Sequence, residues 1–270
     1  MSAKEFNMMT TDKHTFTVCA YKESAFLEEC VKSLTRQTLK SKIIICTSTP
    51  NEHIKSVAEK YGLELFINEG EKGITGDWNF ACSKCDTEFF TIAHQDDVYE
   101  PEYLENILKK FEASKKPIIA FSEYFEVRNG NKVYKNKLLK IKKMLNFGFR
   151  LSKRSRFIRR RVLSLGCSIC CPAVTFSKEG CSDFKFCNEF KFTCDWDAWE
   201  RLSKRKGDFV YINKPLMGHR IHEESTTTAM SESGERAKEE FTMLRRFWPA
   251  WIAKIICKPY KKAAASNANI

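Results

Sequence analysis

Residues 89–108, FFTIAHQDDVYEPEYLENIL, decide the fold. Phe89, Phe90, Ile92 and Ala93 form an apolar run of strand length. The run ends at His94-Gln95-Asp96-Asp97, where two carboxylates stand side by side. Pro101 suits the first turn of a helix, and Tyr103, Leu104, Ile107, Leu108 and Phe111 recur behind it at helical spacing. A buried strand that releases two aspartates at its C-terminal end is how an open α/β sheet furnishes a ligand crevice. Adjacent carboxylates repel, so a cation is expected beside them. A hard divalent ion carrying a substrate diphosphate meets that demand; the plain alternative is a solvated Asp-Asp turn.

Working outward, the first hundred residues alternate. Strands are expected at 15–20, 42–47, 63–67 and 88–93, and helices at 24–38 (capped by Ser24), near 52–61 and at 75–84. Repeated βαβ units predict an α/β fold with a mainly parallel sheet and helices on both faces. Residues 117–127 read as a further strand, turning at 128–131 into a short partner at 132–134. Beyond lie a strand at 173–177, an amphipathic helix at 195–205 with Trp196, Trp199 and Leu202 inward, and a short strand at 209–212. A helical pattern at 235–257 is interrupted at Pro249. This divides the chain into an N-terminal tail (1–13), one domain (14–230), a C-terminal amphipathic helix (231–260) and a disordered tail (261–270).

The composition, 43% hydrophobic with 21 Phe, supports a real core and argues against disorder. The net charge of +12 is unevenly placed: from Val127 to Lys178 there is no acidic residue, while Lys and Arg recur throughout. A run so one-sided faces an anionic surface more often than bulk water, so 135–165 is read as a basic acceptor-side or membrane-side segment. Twelve cysteines, several inside apolar segments (Cys19, Cys30, Cys46, Cys194), suit a reducing compartment. The near-pairs Cys82-x-x-Cys85 and Cys167-x-x-Cys170 have knuckle spacing but lie far apart in sequence, which disfavours a shared zinc site. No apolar signal core opens the chain and no run approaches the roughly 18 apolar residues of a membrane span. A cytoplasmic location is expected, with peripheral contact to the inner membrane leaflet.

The order of motifs resembles the family 2 glycosyltransferases, an inverting group with the GT-A fold, over about residues 16–225. VCAYKES (18–24) resembles the family's strand followed by P-x-YN-x-E, and SLTRQTL (33–39) with KIIIC resembles S-L-x-x-Q-T before its second strand. GITGDWNFA (73–81) resembles its Arg-Asn segment, with Asn79 at the Asn place. HQDDVYEP stands where the family has D-x-D-D-x-x-x-P, CDWDAWERL (194–202) where it has E-D-x-D-L-x-x-R-L, and INKPLMGHRIHEEST (212–226) where it has P-L-x-x-Y-R-x-H…S. The resemblance implies a nucleotide-diphosphate sugar donor contacted by Ala20, Tyr21, Glu23, Thr47, Asn79, Gln95, Asp96 and Arg220. It implies Mg2+ or Mn2+ at Asp96 and Asp97 with His222 as a further ligand, and Asp195 as general base with Asp197 in reserve. The acceptor would be a glycan or a polyprenyl-linked sugar in cell-surface polysaccharide biosynthesis; no nucleic-acid partner is expected.

Three departures from the family pattern bear on function. Thr47-Ser48-Thr49 replaces an Asp-Asp pair that reads the base of a uridine nucleotide, which leaves guanosine, thymidine and cytidine donors open. His94 replaces the first Asp of D-x-D, and Cys194 the Glu beside the base. An inactive homologue is one alternative. A non-catalytic basic module binding anionic lipid or nucleic acid is another, but it leaves Asp96, Asp97 and Asp195 without a role. In the C-terminal helix, Phe241, Leu244, Phe247, Trp248, Trp251, Ile252, Ile255 and Ile256 with flanking Lys and Arg read as a face for an anionic membrane, for packing on the domain over the sheet edge, or for a dimer contact.

Overall fold

The strand that begins at Phe89 is central to the sheet. The computed structural model describes residues 12–222 and 234–257. Its strands are β1 (His14–Ala20), β2 (Lys42–Thr47), β3 (Glu64–Ile67), β4 (Phe89–His94), β5 (Val98–Tyr99), β6 (Pro117–Arg128), β7 (Asn131–Val133), β8 (Val174–Ser177) and β9 (Asp208–Ile221). They form one nine-stranded sheet in the order β3-β2-β1-β4-β8-β6-β9-β5, with β7 on β6. The first four strands in that order are parallel, as βαβ repetition predicts. β8 then runs antiparallel between β4 and β6, and β9 returns parallel to β6. The chain order reverses across the β1–β4 pair, so the crevice beyond their C-terminal ends is the expected ligand position.

The helices α1 (Leu27–Thr35), α2 (Glu52–Tyr61), α3 (Ile74–Ser83) and α4 (Tyr103–Glu112) fill the early crossovers. Period-2 alternation splits each strand between two cores. On β4, Phe89 and Ala93 join α1, α2 and α4, while Phe90 and Ile92 join α3 and the later helices. Ser24 does not occupy the cap position expected of it. Phe26 does, and Ser24 instead takes the Phe26 and Leu27 amides on its hydroxyl and carbonyl.

The acid-free stretch is helical, which its composition concealed. α5 (Lys137–Asn146) starts at Asn136, whose side chain accepts from Leu139 N. α6 (Gly148–Leu151) follows, then α7 (Arg156–Leu163), capped by Ser155 on Ile158 N. Several of the cations here are structural. Arg159 is fully buried, donating to the carbonyls of Ser203, Gly207 and Arg205 and lying over Phe209. Arg160 pairs with Glu200, and Lys153 and Arg154 with Asp208.

α8 (Cys194–Ser203) buries Trp196, Trp199 and Leu202 as predicted. α9 (Glu235–Arg245) and a last helix at 250–257 flank Pro249. Their apolar face lies on the domain. Met243, Leu244, Ala253 and Cys257 are buried, Phe241, Phe247, Trp248 and Ile256 pack beside them, and Trp248 Nε1 donates to Ser164 O. Only Trp251 and Ile255 stay well exposed, so the packing alternative describes this helix. The expected tails at 1–13 and 261–270 and the junction at 230 lie outside the described residues, except for 12 and 13. No described helix is long and apolar enough to cross a membrane.

Candidate active site

β4 ends at His94, and the next three residues turn across the mouth of the β1–β4 crevice. Gln95 fixes that turn to β1: its Oε1 accepts from Tyr21 N and its Nε2 donates to Tyr21 O, both at 2.9 Å. Lys22, beside Tyr21, takes a left-handed φ of 54° and donates its amide to Thr49 Oγ1. Thus β1, β2 and β4 are tied together at their C-terminal ends.

The expected short strand at 209–212 runs on to Ile221, with register shifts against β6 around Glu123. That extension decides the site. β5 pairs with Gly218 and Met217, so the following residues reach Asp96 and Asp97. Asp97 is fully buried; its Oδ1 accepts from Arg220 N at 2.9 Å and lies 3.1 Å from His219 Nδ1. Arg220 Nε donates to the Asp96 carbonyl, and its Nη2 reaches Glu29 at 2.6 Å. His222 Nε2 lies 3.0 Å from Asp96 Oδ2.

His94, Asp96 and Asp97 bring one ligand atom each within 4.8 Å of one another. Asp97 Oδ2 is buried with no hydrogen-bond partner, and so is His94 Nε2. An orphaned carboxylate oxygen at such depth is costly unless something cationic meets it. One imidazole and two carboxylates make a donor set that suits Mn2+ and also accommodates Mg2+. Burial alone would raise the Asp96 carboxyl, but the His222 bond and the fields of His94 and His219 hold it below the usual carboxylate value. Burial would likewise lower His219, yet Asp97 more than offsets this and raises it.

Asp195 lies half-buried in the first turn of α8. Its Oδ1 accepts from Trp196 N at 2.7 Å and its Oδ2 from the Cys167 thiol at 3.4 Å. Burial raises its carboxyl above the usual value, against the pull of those two bonds. Asp197 is differently placed: its carboxylate lies between Arg201 at 2.8 Å and Arg246 at 2.5 Å, which fastens α8 to the C-terminal helices.

The remaining candidates differ in what their side chains do. Ala20 is buried at the end of β1, while Tyr21 and Glu23 are exposed beyond it. Thr47 is buried and its hydroxyl accepts from Thr49 N. Asn79 engages both ends of its amide with the backbone of Phe186. A carboxylate does stand beyond β2, but α3 supplies it: Asp77 accepts from Ser48 Oγ at 2.9 Å and from Asn68 Nδ2 at 2.8 Å. His219 and Asp77 were both missed in the sequence. The available signal was a second histidine three residues before His222 for the one, and an acid next to the Trp78-Asn79 segment for the other.

The family model described as glycosyl transferase family 2 matches residues 15–180, well over half of the chain. The chain belongs to glycosyl transferase family 2. No curated protein matches its sequence. Among solved structures, S. aureus TarS 1-349 in complex with UDP-GlcNAc is similar at 14% identity and a TM-score of 0.64, over 92% of this chain and 71% of that one. The mannosyltransferase PcManGT from Pyrobaculum calidifontis, in complex with GDP-Man and Mn2+, is similar at 13% identity and 0.62, over 98% and 78%. A longer TarS structure matches at 15% identity and 0.59 over 92% of this chain, which spans 42% of that protein's length. These likenesses establish the fold: this family 2 glycosyltransferase domain has the GT-A architecture that its motif order implied.

Proposed function

We propose that the domain transfers a sugar with inversion from a nucleotide-diphosphate donor to an acceptor hydroxyl, with Asp195 as general base. The observation that carries this reading is the convergence of His94, Asp96 and Asp97 at the end of β4 in a family 2 fold. Asp96 and Asp97 would hold a divalent ion, with His94 and His222 beside them, and a bound ion would offset the negative charge of the leaving diphosphate. Arg220 keeps the carboxylate turn in register by holding the Asp96 carbonyl, and Gln95 by tying its side chain to the Tyr21 backbone beyond β1. Glu29 already engages the Arg220 guanidinium, so contact with a phosphate requires Arg220 to leave that pair or share it. Ala20, Tyr21, Glu23, Thr47 and Asn79 line or brace the donor side. Asp77, held on Ser48 and Asn68, stands in for the absent Asp-Asp pair in reading the nucleobase.

Asp195 takes the proton of the attacking hydroxyl. A carboxyl raised by burial is a better proton acceptor near neutral pH than a solvated one, and its Trp196 and Cys167 bonds fix its direction. The ion pairs of Asp197 leave it a structural part. The acceptor is a glycan or polyprenyl-linked sugar. An anionic inner leaflet is met not by the C-terminal helix but by α5–α7, where Met144, Phe147, Leu151 and Phe157 are 54–71% exposed among Lys140, Lys143, Arg150 and Arg156. A thermal-shift panel of nucleoside diphosphates with and without Mn2+ tests the reading: one cognate nucleotide should stabilise strongly and only with metal. If no nucleotide stabilises the protein, the proposal fails.

A further inference from the structure

α5 enters from the acid-free stretch with four lysines, Lys137, Lys140, Lys142 and Lys143. Three are exposed. Lys142 is half-buried: it follows buried Leu139 by three residues and precedes buried Asn146 by four, which places it on the inward face of the helix. Its ammonium stands 5.0 Å from the centroid of the Tyr124 ring, beside the thiols of Cys167 and Cys170. The Tyr124 ring in turn lies 6.1 Å from that of His219, which meets Asp97, so Lys142 stands one aromatic ring away from the carboxylate turn. Among the described residues no carboxylate forms an ion pair with it. The groups that touch it are neutral near pH 7. Burial pushes the Tyr124 phenol up to about 12 and raises both thiols well above their usual values. Tyr124 and the thiols favour its charged form against burial, but no carboxylate is in contact to pair with that charge.

We propose that Lys142 binds a phosphate group of the substrates, beside the Tyr124 ring that separates it from His219. This rests on the transferase reading above and extends it to a residue outside every motif of the family resemblance. A lysine suits the task as a compact point charge with three rotatable donors. The phosphate has two sources, the donor's diphosphate or a phosphate carried by the acceptor close to its reacting hydroxyl. The competing role is a packing lysine on Tyr124.

Lys142→Met and Lys142→Arg in the full chain separate these. Calorimetry would measure affinity for a panel of nucleoside diphosphates with Mn2+, and for glycerol 3-phosphate against glycerol. Lys142→Met should weaken at least one phosphate probe about tenfold, leave glycerol unchanged and keep the melting temperature, while Lys142→Arg retains binding. Loss confined to the nucleotides assigns the donor, and loss confined to glycerol 3-phosphate assigns the acceptor. If Lys142→Met matches wild type on every phosphate probe, or Lys142→Arg is as weak as Lys142→Met, the assignment is overturned. A wild type that binds glycerol 3-phosphate through Lys142 but no nucleotide would refute the transferase reading and keep the phosphate seat.

Discussion

Replacing Asp96 and Asp97 by alanine, one at a time, should separate metal binding from folding. Asp97 is fully buried and serves the backbone amide of Arg220 and the ring of His219. Truncation strands both groups, and each orphaned buried partner costs about 1–3 kcal/mol. At about 2–4 °C per kcal/mol for a domain of this size, Asp97→Ala should lower the melting temperature by on the order of 10 °C. Asp96 makes one side-chain bond, to a partly exposed His222, and Arg220 Nε grips its carbonyl, which alanine retains. That loss is about 0.5–1.5 kcal/mol, a few degrees at most. Mn2+ affinity should collapse in both variants, and with it metal-dependent nucleotide binding. Differential scanning calorimetry without metal reads the first effect, and electron paramagnetic resonance of free Mn2+ reads the second. If Asp96→Ala retains wild-type Mn2+ affinity, the carboxylates are not the metal seat. If the two variants melt together, the energetic division between them is wrong.

Four further outcomes are expected. Asp195→Asn should keep donor binding and lose transfer by on the order of 10² to 10⁴; because the folded state raises this carboxyl, its ionisation costs native stability once pH exceeds the unfolded value, so the same variant should melt higher than wild type at neutral pH. The acid limb of kcat/KM should lie above the ordinary carboxylate range, and Cys167→Ala, which removes a bond favouring the anion, should move it higher still in a pH–rate profile. Arg159→Met should strand the carbonyls of Ser203, Arg205 and Gly207 and destabilise by about 3 kcal/mol or more in urea unfolding, although the residue lies in the basic stretch. Phe147→Asp with Phe157→Asp should abolish sedimentation with anionic vesicles at low salt while donor binding persists; equal sedimentation would remove α5–α7 from the membrane reading.

The sequence disclosed whatever local periodicity encodes. The strands at 42–47 and 89–94 and the helix at 52–61 follow from apolar runs and caps that need no distant partner. β9 was only half legible. Asn213, Lys214 and Pro215 look like a strand's end, and they are tolerated because the register shifts against β6 at Glu123. The half that was missed carries His219 and Arg220: Arg220 was legible from its motif, but the pairing of its amide and of His219 with Asp97 was not. The basic stretch misled for a different reason. Charge counting treats all cations alike, whereas the fold buries Arg159 against carbonyls, pairs Arg160 with Glu200, turns Lys142 inward and leaves Arg150 and Arg156 in water. Those four fates depend on which helix face each residue occupies; the Asn136 and Ser155 caps start α5 and α7, but with no acid in the stretch, charge alone does not set that phase. The C-terminal helix shows the converse. Its aromatic face was legible, but an amphipathic pattern gives only the existence of an apolar surface to be covered. Ser164 O and the buried face of α8 supply that cover here, so the pattern that suggested a lipid partner records an intramolecular one.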